Sequence, residues 1–158
     1  MITTTLNDIL RHDPCLDGWE KLLAYLGTTE PDDEPLALSV ILDSNGLEDA
    51  LWALRTLGPD SESWIRLMAC DMVEPALRYT DDERAHEAVR VARRFAWGEC
   101  DADELAAAGA AAGDAAGVAA RAAVWAAAGA AAGAAARAAA RKGQEAIFLR
   151  YVEAENDA

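Results

Sequence analysis

Apolar residues recur every three or four positions along most of the chain, which is the spacing of one helix face. Three of these stripes end at glycine-containing stop signals, namely Gly27, Gly58-Pro59 and Gly98. The stripes comprise Leu16, Trp19, Leu22, Leu23 and Leu26; Leu47, Ala50, Leu51 and Leu54; Trp64, Leu67, Met68 and Met72; and Ala85, Ala88, Val89, Ala92, Phe95 and Ala96. No segment has the alternation expected of a strand. The pattern predicts an all-α fold, a compact helical bundle of about seven or eight helices.

Capping and breaking residues predict where these helices begin and end. Thr5 predicts one N-terminus and Asp13-Pro14 its end, Pro35 suits the first turn of a helix over 36–42, and Pro75 is expected to break or kink its helix. Thr80 with Glu83 three positions later has the pattern of a capping box, and Asp101 with Glu104 has a similar one.

Composition changes after Gly98, which divides the chain into an acidic N-terminal helical region, 1–98, and Ala/Gly-rich C-terminal helices, 99–158. We expect the two regions to form one continuous structural domain. Inside an alanine helix each glycine costs about 1 kcal/mol relative to alanine, so close helix packing is expected to offset it. The glycines concerned are Gly109, Gly113, Gly117, Gly129 and Gly133. We therefore expect the fold to end in a tightly packed Ala/Gly-rich helical hairpin, followed by the larger apolar residues Ile147, Phe148, Tyr151 and Val152.

The charge of the chain limits its partners. Twenty-eight acidic and fourteen basic residues give a net charge of −14, and the segment from Asp8 to Asp49 holds eleven acidic and two basic residues. Such a surface repels nucleic acid and anionic membranes and favours a protein with a basic surface. With no secretory signal and no apolar run long enough for a bilayer, a cytoplasmic protein is expected.

The residues that usually carry enzymatic chemistry are sparse. The three cysteines, Cys15, Cys70 and Cys100, fit neither a disulfide framework nor a metal-binding spacing, and there are two histidines. Cys15 and Cys70 are expected to be small buried apolar residues. We therefore expect no catalytic residue, cofactor or metal site.

Acidic clusters are the most abundant polar feature, and capping explains much of their placement. As candidates for partner binding we take carboxylates of the acidic segment 8–49 and of the cluster 81–83, together with one tryptophan at the edge of a stripe, which has the character of an interface anchor. These candidates are Asp32, Asp33, Glu34, Asp43, Glu48, Asp49, Trp52, Asp81, Asp82 and Glu83.

Three segments resemble a block found in small proteins of phages and other mobile elements: Cys15-x-x-Gly18-Trp19-x-x-Leu22-Leu23-x-x-Leu26-Gly27, Asp32-Asp33-Glu34-Pro35-Leu36, and Ser44-Asn45-Gly46-Leu47-x-Asp49-Ala50-Leu51-Trp52-x-Leu54-Arg55. The Ala-rich second part resembles a helical family of immunity-like proteins. The resemblance implies a binding protein that neutralises a toxin or a defence effector, and it brings no catalytic residues with it.

Two functions from different classes follow as expectations. The first is a non-enzymatic acidic inhibitor of the anti-CRISPR or immunity type, which occludes the basic, nucleic-acid-binding surface of a CRISPR effector, nuclease or toxin. The alternative is a structural module that forms a homodimer through its Ala/Gly face.

Overall fold

A computed structural model describes residues 1–78, 80–111 and 130–154 of the chain. These residues form eight α-helices: α1 (Leu6–Arg11), α2 (Leu16–Leu26), α3 (Leu38–Asn45), α4 (Leu47–Ala53), α5 (Glu62–Leu77), α6 (Glu83–Ala96), α7 (102–111) and α8 (Ala130–Glu153). Two 3₁₀ turns, Leu54–Thr56 and Pro59–Ser61, connect α4 to α5. The all-α prediction is confirmed.

A small sheet is the one departure from the all-helical expectation among the described residues. Strands β1 (Thr3–Thr4) and β2 (Leu36–Ala37) pair antiparallel, with Thr3 opposite Ala37 and Thr4 opposite Leu36. Two residues a strand are too few for an alternating pattern to be visible in the sequence. Because β2 occupies the predicted first turn, the helix expected over 36–42 begins at Leu38 instead.

Several predicted helix ends are confirmed by the backbone. Thr5 caps α1, since its side chain accepts a hydrogen bond from the Asp8 N–H, and α2 ends at Gly27 in the left-handed region with φ 70°. The break between α3 and α4 falls at Gly46, whose φ is 96°. Pro75, in contrast, does not break its helix, because α5 continues to Leu77.

The contacts divide the chain into two units: a first unit of Met1–Ser61 with Phe148–Ala158, and a second unit of Glu62–Ile147. These boundaries lie elsewhere than the change of composition at Gly98. In the first unit the Ile2 N–H donates to the Val152 carbonyl at 2.7 Å, and Phe148 and Val152 are completely buried or nearly so. The last turns of α8 therefore belong to the core of the first unit, as their large apolar residues predict.

The first core is built mainly from the faces of α1, α3 and α4. Its buried apolar residues are Leu6, Ile9, Leu22, Leu36, Leu38, Ile41, Leu47, Ala50, Ala53, Leu54, Phe148 and Val152. The buried hydroxyl of Thr4 lies 2.7 Å from that of Thr56, which in turn donates to the Ala53 carbonyl at 2.8 Å. The stripe predicted for α2 is only partly inside, since Leu22 is buried whereas Leu16 is 71% exposed.

In the second unit α5 packs along α6. Met68, Cys70 and Val91 are buried, and the partly buried guanidinium of Arg93 lies 2.8 Å from Asp71 and 2.7 Å from Glu74. This ion pair connects the two helices.

The predicted Ala/Gly hairpin lies largely outside the described residues, which include neither its turn nor Gly113, Gly117 and Gly129. At Gly109 an added Cβ would meet no heavy atom of the described residues within 4 Å, and the helix expected to pack against this face lies outside those residues. Among the described helices none is both long and apolar enough to cross a bilayer.

Candidate interaction surface

The acidic connector Asp32-Asp33-Glu34 is exposed and held by α1. The Asn7 N–H donates to the Asp32 carbonyl at 3.0 Å, and the Asn7 amide donates to Asp33 Oδ1 at 2.9 Å. Asp32 Oδ1 accepts the Glu34 N–H at 3.1 Å, which closes a local turn. The connector therefore presents its carboxylates from a defined backbone, although it precedes a strand and not the helix start that was predicted.

The candidates on α3 and α4 differ in exposure. Asp43 and Glu48 are exposed, whereas Asp49 is partly buried and accepts a hydrogen bond from Asn45 Nδ2 at 2.7 Å within the unit. Trp52 is half-buried, and the guanidinium of Arg55 lies 4.5 Å from the centroid of its ring. Asp49 and Trp52 are thus partly engaged inside the unit.

Asp81, Asp82 and Glu83 lie in the second unit, at the start of α6. The N-cap is Asp82, whose Oδ1 accepts the Arg84 N–H at 3.0 Å, so the capping box predicted from Thr80 and Glu83 is wrong. Asp82, which directly precedes Glu83, takes the capping position that was predicted for Thr80. The Arg84 hydrogen bonds lower the pKa of Asp82, and the hydrogen bond from Arg90 lowers the pKa of Glu83.

The two units differ in how their carboxylates are compensated. The first unit holds fifteen acidic and four basic residues, a net charge of −11, and the second holds thirteen acidic and ten basic residues, a net charge of −3. Arginines of α6 pair with Asp71, Glu74, Asp82, Glu83, Glu87 and Glu104 of the second unit. In the first unit Arg11 pairs with Asp8 and Asp33, while Glu34 and Asp43 are exposed and form no ion pair within the described residues. Uncompensated negative charge is therefore concentrated in the first unit.

A pocket that the sequence did not predict opens in the first unit between α2, α3 and α4. Its volume is about 110 Å³, and it is lined by Cys15, Trp19, Leu22, Asn45, Asp49 and Trp52 among others. Gly18 makes room for it, since a Cβ there would lie 2.8 Å from Asp49 Oδ2 and 3.1 Å from Cys15 Sγ. The sequence holds the two indoles and the carboxylate, but they come together through different helices.

The cysteines are found in unlike environments. Cys70 is buried as predicted, and burial raises the pKa of its thiol. The prediction that Cys15 is buried is wrong: it is exposed, and its sulfur accepts the Gly18 N–H at 3.4 Å as the N-cap of α2. The N-cap is the residue directly before the helix, and in α2 this position lies at the surface.

The histidines contact backbone carbonyls, His12 that of Asp8 at 2.8 Å and His86 that of Thr80 at 3.1 Å. Over the described ranges, no group of three or more His, Cys, Asp or Glu residues is placed to hold a metal ion.

Comparison of the chain with protein-family models, with curated proteins and with solved structures found no match in any of the three.

Proposed function

We propose that this chain is a non-enzymatic acidic binding protein that inhibits a protein with a basic, nucleic-acid-binding surface. The observation that carries the proposal is the charge of −11 on the first unit, beside a second unit at −3. Concentrated charge of one sign speeds the encounter with a partner of opposite charge and disfavours like-charged competitors. The inhibitor acts by covering the groove that its partner uses for DNA or RNA.

The connector contributes a fixed backbone as well as negative charge. Asn7 fixes Asp32 and Asp33, so less conformational freedom is lost on binding than with a free loop. Exposed carboxylates on this fixed backbone offer the partner negative charges comparable to the phosphates of the DNA or RNA that the partner binds. Asp43 and Glu48 are further exposed carboxylates of the first unit. Asp81, Asp82 and Glu83 belong to the second unit and are a separate set of candidates.

The resemblance to proteins of phages and mobile elements suggests the biological setting, in which the partner is a CRISPR effector, a nuclease or a toxin. Two genetic assays separate the versions. An anti-CRISPR protein restores phage plating on a host whose CRISPR system targets that phage. An immunity protein rescues cells that express one cognate toxin.

The biochemical test is capture from a host lysate at about 50 mM and 500 mM salt, because screening weakens contacts between exposed charges. We expect a basic protein to be retained at low salt and lost at high salt. The triple variant Asp32→Lys, Asp33→Lys, Glu34→Lys should abolish capture while its circular dichroism stays unchanged.

A matched control reverses three exposed carboxylates of the second unit, Glu62, Glu99 and Asp103, to lysine. This control has the same total change of charge and should retain capture. Equal loss in both triple variants would indicate that net charge alone attracts the partner, and unchanged capture by the connector variant would place the interface elsewhere.

A further inference from the structure

The pocket of the first unit combines apolar walls with one acidic group. Two indoles, Trp19 and Trp52, and the side chain of Leu22 supply apolar surface, and Asp49 supplies a carboxylate. A volume of about 110 Å³ is several times the roughly 30 Å³ share of one water molecule. The pocket therefore has room for a small side-chain group.

The polar groups of the pocket are already ordered. Asn45 Nδ2 donates to the Gly18 carbonyl at 2.8 Å and to Asp49 Oδ2 at 2.7 Å, and Asn45 Oδ1 accepts from the Ser44 hydroxyl at 2.7 Å. Both N–H groups of the Asn45 amide are thus used inside the unit. Asp49 Oδ1 accepts no hydrogen bond from any described residue, so the carboxylate has acceptor capacity left for a ligand.

These features select a cationic, planar donor. A carboxylate accepts hydrogen bonds and favours positive charge, while indole faces attract cations. A guanidinium suits this combination better than an ammonium, because it is planar, more weakly hydrated and able to stack on aromatic rings. Arg55 illustrates the affinity within the chain itself, since its guanidinium lies 4.5 Å from the centroid of Trp52.

We propose that an arginine side chain of the basic partner inserts between Trp19 and Trp52 and pairs with Asp49. The class of partner, a protein with a basic surface, comes from the proposed function, and the inference rests on it. The arginine would make binding specific, which the acidic surface alone does not. The charge of −11 on the same unit favours delivery of a cationic side chain to this pocket.

The surface beside the pocket is apolar and can contact the residue that adjoins the inserted arginine in the partner's chain. A second hollow shares Pro14 and Trp19 with the pocket and is bordered by Leu10 and Leu16. Leu10 is 44% exposed and Leu16 is 71% exposed, so this border offers apolar contact area outside the pocket. We expect the partner segment to carry an apolar residue next to its arginine.

The test uses the intact protein and two small probes of nearly equal shape, ethylguanidinium and the neutral ethylurea. Each is titrated while the indole N–H resonances of Trp19 and Trp52 are followed by NMR, with assignments made from Trp→Phe substitutions. We expect saturable shifts at both indoles with ethylguanidinium and no saturation with ethylurea. Equal responses to both probes, or shifts at neither indole, would overturn the assignment.

Asp49→Asn tests the carboxylate with little change of shape, since the amide oxygen that it introduces can still accept the hydrogen bond from Asn45. The substitution should weaken ethylguanidinium binding by about fivefold or more, because the ionic contribution to the hydrogen bonds is lost. Glu30→Gln, at an exposed carboxylate between α2 and β2 that lies outside the pocket lining and outside the partner-binding candidates, is the matched control and should leave the affinity within about twofold. Equal affinities of the Asp49→Asn variant and the parent protein would contradict the proposal.

The pocket and the proposed function fail in different ways. If ethylguanidinium binds and the lysate yields no basic partner, the pocket assignment holds and the inhibitory function is wrong. If a basic partner is captured equally well by the parent protein and by Asp49→Asn, the acidic surface is sufficient and the arginine anchor is wrong.

Discussion

Asn45 connects the helices that surround the pocket. Its side chain joins three helices, because Asn45 itself ends α3 while its amide contacts the Gly18 carbonyl of α2 and the Asp49 carboxylate of α4. In the sequence it stands in Ser-Asn-Gly, a pattern that indicates a turn and says nothing about a tertiary contact 27 residues away. Local turn chemistry was therefore predictable and the partner of the side chain was not.

The N-cap residue of α6, Asp82, leads to a prediction of how stability depends on pH. Hydrogen bonds from Arg84 lower the pKa of Asp82 below its ordinary value of 3.8. Because the folded state binds this proton less readily than the unfolded state, the contribution to stability is present above that ordinary value and is lost as the pH falls through the lower folded value. Arg84→Met should raise the Asp82 pKa toward 3.8, as followed by carboxyl-carbon NMR in a titration across that value.

The backbone N–H of residue 84 remains in this variant, so the rise should be partial. Pro at that position would also remove the N–H, but it would alter the helix start and is the poorer test. An Asp82 pKa that does not move in Arg84→Met would mean that the backbone hydrogen bond alone lowers it.

At the scale of elements, one partly buried cation, Arg93, adds ion pairs to the contact between α5 and α6. The side chains of Arg93 and Asp71 are 22% and 19% exposed, and Arg93 also reaches Glu74. Arg93→Met should lower the free energy of unfolding by about 1–2 kcal/mol, because hydrogen bonds between charged groups away from bulk water are lost and two carboxylates are left without that cation. Urea denaturation followed by circular dichroism measures the change.

Arg90 provides the comparison on the same helix, because it also pairs with two carboxylates, Glu83 and Glu87, but is 55% exposed. Arg90→Met should have a much smaller effect, since exposed ion pairs are screened by solvent. Equal losses in the two variants would show that burial of the Arg93 pairs adds nothing to the contact between α5 and α6.

The elements also show what a single sequence can supply. Helix α6 was predicted from its apolar period and from Gly98, which ends it with φ 74°, because both signals act within a few residues. Strand β2 was missed because its two residues depend on pairing with Thr3–Thr4, which lies far away in the sequence. The apolar stripe of α2 was predicted to be buried along its whole length, but Leu16 is exposed. Periodicity shows which residues share a helix face, and it does not show how much of that face other helices cover.

Some features of the candidate site were likewise predictable from the sequence, and others were not. The concentration of charge between Asp8 and Asp49 could be counted directly, and the structure adds which carboxylates arginine compensates. Trp52 could be placed at the edge of a stripe, whereas the pocket that it shares with Trp19 requires the packing of three helices. Properties that sum over residues are visible in a sequence, and concave sites built from distant segments are not.

At the scale of the whole molecule, the unequal charge of the two units has a consequence for stability. Like charges gathered on one unit repel one another, and this repulsion is strongest at low ionic strength. Glu34 and Asp43 are exposed and outside any ion pair of the described residues, so their reversal removes repulsion without breaking a contact between side chains. The double variant Glu34→Lys, Asp43→Lys should raise the Tm by about 1–3 °C at roughly 10 mM salt.

Scanning calorimetry at about 10 mM and 500 mM salt gives the measurement and its internal control, because a gain that comes from repulsion must shrink as salt screens it. Asp103→Lys, in the less charged second unit and in the first turn of α7, should give no increase, since negative charge is favoured at a helix N-terminus. A gain in the double variant that disappears at high salt would mean that the free protein carries electrostatic repulsion which a basic partner relieves on binding. A lower Tm at both salt concentrations would instead assign these carboxylates a structural role, and repulsion within the free protein would no longer be a reason to expect a basic partner.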